Sequence, residues 1–253
     1  MSAPISTKIQ SEIDQLLARS FIYQMISFLL RPPSPETDDF QMAEEAPECR
    51  KAIDALDFPQ KSHLKNSLEL LIQSLQQITS QQWLSSYQTC FGHTAYGPVP
   101  IYELEYGEEH SHRQPQQLAD ISAFYHAFGL KMNEKVYERV DHAAVECEFM
   151  QYILLKEAYA LTYGQEEKAL ICRGASERFL RDHLGLWVPS FCLKLAQYDR
   201  YPFMKNTAHF VLNFISQDCQ KFGITPGPAD LPLRAVVESQ DEGCVDCSIS
   251  QKL

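Results

Sequence analysis

Apolar residues in this chain recur at helical spacing, and that constrains the fold more than any other feature. In Leu64, Leu68, Leu71, Ile72, Leu75 and Ile78 the steps are four, three, one, three and three. Such spacing draws one stripe along a helix. Glycine is scarce, at ten in 253 residues, and no convincing pair of alternating strands is present. Proline and glycine punctuate the remaining segments. A helix over 8–30 is stopped by Pro32 and Pro33, and Ser34-Pro35-Glu36 reads as a fresh start. Further helices are predicted over 80–91 (closed by Gly92), 114–128 (Pro115 to Gly129), 141–163 (to Gly164) and 165–184 (ended by Gly185). Two more run over 188–198, starting near Pro189, and over 202–222, ending at Gly223.

These elements predict an all-α fold: a single compact multi-helix bundle of nine or more helices over residues 1–223. Two segments break the pattern. Residues 93–113 carry Gly97, Pro98, Pro100 and Gly107, and long ordered connections are often functional. Residues 224–253 open with three prolines in nine residues and predict an extended or disordered C-terminal tail.

Acidic residues outnumber basic ones by 33 to 22, for a net charge of −11. A surface of that sign repels a phosphate backbone, which argues against nucleic-acid binding. The polar N-terminus has no signal-peptide core, and the longest apolar stretch, residues 21–30, is too short to span a bilayer. Six of the eight cysteines fall in apolar or helical patterns and read as reduced thiols. A cytoplasmic location without membrane insertion is therefore expected. Phosphate-binding glycine loops, nucleophile elbows and H-E-x-x-H are all missing. One E-x-x-H, Glu109 to His112, lies in the central connection, whereas a carboxylate di-iron centre wants two on helices.

Four constellations remain. Glu138-Arg139-Val140-Asp141-His142 precedes a strong helical run. There Asp141 can cap the helix, and His142 can meet Glu146 one turn on. This is either a capped helix with a surface His–Glu pair or an acid/base pair lacking a nucleophile. Tyr102-Glu103-Leu104-Glu105-Tyr106-Gly107-Glu108-Glu109 carries four glutamates and no cation. It reads either as a solvated acidic loop or as a groove for a basic, partly apolar peptide. Cys244 and Cys247 form a single C-x-x-C, two ligands short of a closed zinc site; Cys90, His93, His110 and His112 could complete it only from far away in sequence. In the segment from Phe179 to Phe191, Trp187 and Phe191 read as core, and Trp83 on its own helix as core or boundary packing.

Together these motifs resemble the molybdoenzyme maturation chaperones, the redox enzyme maturation proteins of the TorD, DmsD and NarJ type. Residues 138–142 are similar to that family's E-x-P-D-H helix start, with Val140 in place of proline. Phe179, His183, Leu184, Trp187 and Pro189 resemble its F-x-x-x-H-L-x-x-W-x-P segment. The Tyr102 to Tyr106 loop resembles its tyrosine-bearing connection. Length and C-terminal cysteines look closest to the chaperones of type II dimethyl-sulfoxide-reductase enzymes. The resemblance implies a non-enzymatic chaperone without a cofactor of its own. Its partner would be the apo catalytic subunit of a molybdenum-cofactor oxidoreductase, together with that subunit's twin-arginine signal peptide. It places Asp141 and His142 at the client site, and Glu138, Tyr102, Glu103 and Tyr106 are expected beside them. Trp187 and Pro189 would shape the groove. Monomer and homodimer both remain open. Two rivals stand beside this reading: a metal-dependent helical enzyme using Asp141, His142 and Glu146, and an adaptor switched by zinc or redox chemistry at Cys244 and Cys247.

Overall fold

A computed structural model of the chain describes residues 6–33, 42–92, 97–108, 113–133, 138–198 and 202–234. Among these residues it contains nine α-helices and no β-strand beyond two isolated bridges. They are α1 (Thr7–Leu29), α2 (Met42–Ala55), α3 (Lys61–Leu75), α4 (Ser80–Phe91), α5 (Gln114–Ala127), α6 (Ala143–Thr162), α7 (Glu166–Phe179), α8 (Gly185–Tyr198) and α9 (Pro202–Lys221). The helix start expected at Ser34-Pro35-Glu36 lies outside the described residues, as do His93, Glu109 to His112, Cys244 and Cys247.

Local chemistry sets most boundaries. The Ser6 side chain caps α1 by accepting from Ile9 N at 3.3 Å. Thr79 and Gln82 close a reciprocal capping box at the start of α4. Pro115 sits in the first turn of α5, where its missing N–H costs nothing. Gly164 and Gly223 follow α6 and α9 with φ of 65° and 67°, the left-handed conformation that ends a helix cheaply only at glycine.

Packing follows the apolar faces. Helix α1 lies on α6, α6 turns back on α7, and α9 fits between α3 and α8. Phe149, Phe179, Phe191, Phe203, Phe210, Phe214 and Trp187 are all fully buried. Each such ring contributes roughly 1.5–3 kcal/mol by leaving water. Trp83, expected as core or boundary, is nearly buried and meets Phe28 and Phe203 edge-on.

The segment 165–198 departs from expectation. Gly185 does not stop a helix and Pro189 does not start one. Instead α7 passes through a π turn at Leu180–Leu184 directly into α8, with Pro189 inside it. Two contacts explain this. A Cβ at Gly185 would lie 2.4 Å from the Leu180 carbonyl oxygen and 2.7 Å from Cys219 Sγ, so glycine is there for close approach. Pro189 has no N–H to give the Gly185 carbonyl four residues back. That carbonyl accepts instead from Gly227 N at 2.8 Å.

Gly227 belongs to the tail, whose first part is extended but fastened to the bundle. Ser190 Oγ, fully buried, donates to Pro228 O at 2.7 Å and accepts from Leu231 N at 2.9 Å. Residues 224–234 therefore form a strap along α8, and the rest of the tail lies outside the described residues.

One charged contact crosses the core. Arg19 on α1 holds Asp218 on α9 through Nε–Oδ1 at 2.6 Å and Nη2–Oδ2 at 3.0 Å, both side chains being buried. Tyr23 Oη donates to the same carboxylate at 2.7 Å, and the Arg19 guanidinium lies 5.0 Å over the Phe222 ring. Burial first, and the Asp218 charge second, push the Tyr23 hydroxyl well above its ordinary value. Removing one partner strands a buried charge, so Asp218→Ala is expected to cost about 3–5 kcal/mol in urea unfolding. Glu69→Gln, which breaks the exposed Arg50–Glu69 pair, should leave the midpoint unchanged within error. Equal losses in the two variants would show that the core pair has no special weight.

Candidate functional site

The central connection and the start of α6 are built as one unit. Val99 N donates to Cys90 O at the end of α4. Ala143 N then donates to Ile101 O at 3.0 Å, and Glu103 N to Asp141 O at 2.9 Å. These bonds flank an antiparallel bridge between Tyr102 and His142. Glu103–Glu105 forms one 3₁₀ turn, closed by Tyr106 N to Glu103 O at 2.9 Å. Tyr106 Oη donates back to Pro100 O at 2.7 Å.

Asp141 and His142 divide the work differently from the sequence expectation. His142, not Asp141, caps α6: its backbone is extended and its Nδ1 accepts from Ala144 N at 3.1 Å. Burial first, then the charges of Arg31 and Arg139, lower the imidazole pKa to about 3. A neutral ring is what an accepting Nδ1 requires. Asp141 is 0% exposed and faces the loop, accepting from Leu104 N at 3.2 Å. Arg139 closes on it with Nε–Oδ1 at 2.9 Å and Nη2–Oδ2 at 2.7 Å.

Arg139 is a hub that the sequence reading left without a role. Besides Asp141 it donates from Nη1 to Glu105 Oε1 at 3.1 Å, and its guanidinium lies 4.6 Å over the Tyr102 ring. Tyr102 Oη in turn donates to Glu138 Oε2 at 3.3 Å. Two of the acids and one of the aromatic faces expected to receive a foreign arginine are thus engaged by the chain's own. Glu146 does not meet His142 through its side chain. It is buried, with Oε2 accepting from Trp187 Nε1 at 3.1 Å and Oε1 without a hydrogen bond among the described residues. Burial first, then the charge of Glu103, hold its pKa well above the usual carboxylate range. Glu103 reaches the π turn, where both of its oxygens lie 3.1 Å from His183 Nδ1.

Beside this unit lies a groove of about 730 Å³. Its apolar lining includes Phe124 of α5, Phe128 just after that helix, Leu186 of α8 and Leu231 of the strap. Carboxylates of Glu103, Asp120 and Asp182 and guanidinium groups of Arg178 and Arg234 complete it. Of the six residues expected at the site, Glu103 and Tyr106 line this groove. Tyr102, Glu138, Asp141 and His142 stand behind them and set the loop's position. His183 falls within the F-x-x-x-H-L-x-x-W-x-P segment; Phe124, Asp120 and Arg234 carry no local sequence signal. Asp141, His142 and Glu146 are each committed to a different partner, and no cluster of three metal-ligating side chains exists among the described residues. None of the described helices is long and apolar enough to cross a membrane.

Several known proteins are similar to part of this chain. The chlorate reductase assembly chaperone of Ideonella dechloratans is 32% identical over 78 residues, 31% of this chain and 39% of that one. A selenate reductase assembly chaperone from Thauera selenatis is 32% identical over 82 residues, 32% of this chain and 42% of the other. The chaperone protein TorD of Vibrio parahaemolyticus is 24% identical over 125 residues, 49% and 55% of the two chains. This chain therefore spans about half, or less, of the length of the curated relatives it matches. Residues 59–193, more than half of the sequence and including the loop, the start of α6 and the π turn, match the nitrate reductase delta subunit family, and the chain belongs to it.

Proposed function

We propose that this protein is a non-catalytic chaperone for the catalytic subunit of a molybdenum-cofactor oxidoreductase. It holds the apo subunit competent for cofactor insertion and binds the subunit's signal peptide before assembly or export. The observation that carries this reading is the groove, lined by apolar side chains together with Glu103, Asp120 and Asp182. A peptide with apolar side chains and arginines needs that combination, because carboxylates take guanidinium heads while aromatic surface takes the rest. The relatives named as assembly chaperones of chlorate and selenate reductases support the same class of partner. Binding and release complete the cycle; this chain makes and breaks no bond.

Within the reading, Asp141 and His142 act through the loop. Asp141 fixes Leu104 and Arg139, and thereby presents Glu103 and Tyr106 to the groove. Binding of a synthetic client signal peptide, measured by calorimetry beside a thermal melt, separates the roles. Asp120→Lys with Asp182→Lys changes two exposed acids. The pair should lower affinity at least tenfold, about 1.4 kcal/mol, with the melt unmoved. Asp141→Ala should lower both affinity and melting temperature, since it removes the bidentate partner of Arg139 and strands the Leu104 N–H. Unchanged affinity in the lysine pair would remove the groove from the client site.

The buried Glu146 generates a pH test. Its raised pKa means that above roughly pH 4.5 the unfolded chain sheds a proton that the folded chain keeps. Stability attributable to this group therefore falls as pH rises. Glu146→Gln removes that slope and keeps an acceptor for Trp187 Nε1. The variant should melt higher than the parent at pH 8, with the gap closing toward pH 5. A gap independent of pH would mean that Glu146 is ionised in the fold.

A further inference from the structure

The strap is held in two different ways along its length. Its first part is built in. Gly227 lies so close to α8 that a Cβ there would sit 1.9 Å from Leu186 O. The Gly185 carbonyl and the Ser190 hydroxyl hold residues 227–231 from below. The second part pairs through its backbone with the central loop. Gly107 N donates to Pro232 O at 2.9 Å, and Arg234 N donates to Glu105 O at 2.9 Å. They bracket an antiparallel bridge between Tyr106 and Leu233. The register suits proline at 232, where only the carbonyl is used. Leu233 is 42% exposed and adds little packing. The Arg234 side chain supplies the rest, with Nε to Tyr106 O at 3.3 Å and Nη1 to Gln117 Oε1 at 2.9 Å.

An extended segment thus pairs with the edge of the loop, with an apolar residue and, three positions later, an arginine both lining the groove. We infer that residues 232–234 are a built-in occupant of a strand-addition site on residues 105–107, which an extended, arginine-bearing client peptide takes over by displacing them. The inference rests on the client reading above and adds its binding mode and competitor. Backbone pairing to an exposed edge gives affinity without regard to sequence, and side-chain pockets then select. A tethered competitor acts at an effective concentration in the millimolar range. Peptides that only mimic residues 232–234 are therefore held off, and a peptide that also fills the open part of the groove prevails. The anchored stretch 227–231 keeps the displaced end nearby for rebinding after release.

A fluorescently labelled peptide copying residues 228–236 tests this on the full chain. Arg234→Glu places a carboxylate against the Tyr106 carbonyl and should lift the strap's end. The labelled peptide should then bind the variant at least tenfold tighter than the parent, and a copy with glutamate for its arginine should lose that affinity. Equal binding to both chains, or none to either, overturns the inference. Hydrogen exchange on the parent chain keeps the test open should the variant fold poorly. Saturating unlabelled peptide should speed exchange at the Arg234 amide while the Gly107 amide, now bonded to the incoming peptide, stays protected. A client signal peptide that binds yet leaves Arg234 protected sinks the strap inference alone. A signal peptide that fails to bind, beside a self-peptide that does, sinks the client reading and with it the client as displacing peptide, while the strap's pairing site stands.

Discussion

The groove side of this molecule depends on one guanidinium. Arg139 neutralises Asp141 and Glu105 and covers the face of Tyr102. Without a cation there, the 0% exposed Asp141 would have to ionise unpaired or hold a proton. With it, Asp141 can accept from Leu104 N and pin the 3₁₀ turn to the start of α6. Positions of Glu103, Tyr106 and the strap all follow from that turn. Affinity in such an arrangement is set by preorganisation: the loop is ordered before a ligand arrives, so less entropy is lost when it binds.

Most of the fold could be read in the sequence because helix punctuation is local. Thr79 and Gln82 make their cap within one turn, and Gly164 and Gly223 end helices through their own backbone angles. The junction at Gly185 and Pro189 could not be read so. A stop followed by a start, and a helix continued through a π turn, share the same local pattern of glycine and proline. What decides between them is a carbonyl acceptor for Gly227 and room for Cys219 Sγ, both supplied from other parts of the chain. The tail shows the same limit. Its prolines foretold extended backbone, and only Ser190 reveals that residues 228–231 are tied down.

The site was legible as a set of residues and much less so as a set of roles. Both Asp141 and His142 are able to cap a helix, and their neighbours in sequence do not choose between them. The choice falls to His142 because Asp141 is drawn away by Arg139 and Leu104 N. Glu146 and His142, four apart, look like partners on a helix wheel, yet Trp187 captures the carboxylate. Phe124 was invisible for another reason: α5 shows no sharp apolar face in its sequence. The ring earns its place through Phe149, Phe179 and His183, at centroid distances of 6.1, 5.2 and 5.4 Å.

The net charge of −11 can now be divided. Asp141, Glu105 and Asp218 are spent inside the molecule against Arg139 and Arg19, so they add nothing to an attractive surface. Glu146 is buried behind the groove, where its carboxylate accepts from Trp187 Nε1. What remains there is Glu103, Asp120 and Asp182, opposed by Arg178 and Arg234. Lifting Arg234 away with the end of the strap would remove one of those two cations and leave the groove more acidic. The same movement that frees the loop edge thus increases the attraction for an arginine-bearing peptide. Pairing and electrostatics are coupled through a single side chain.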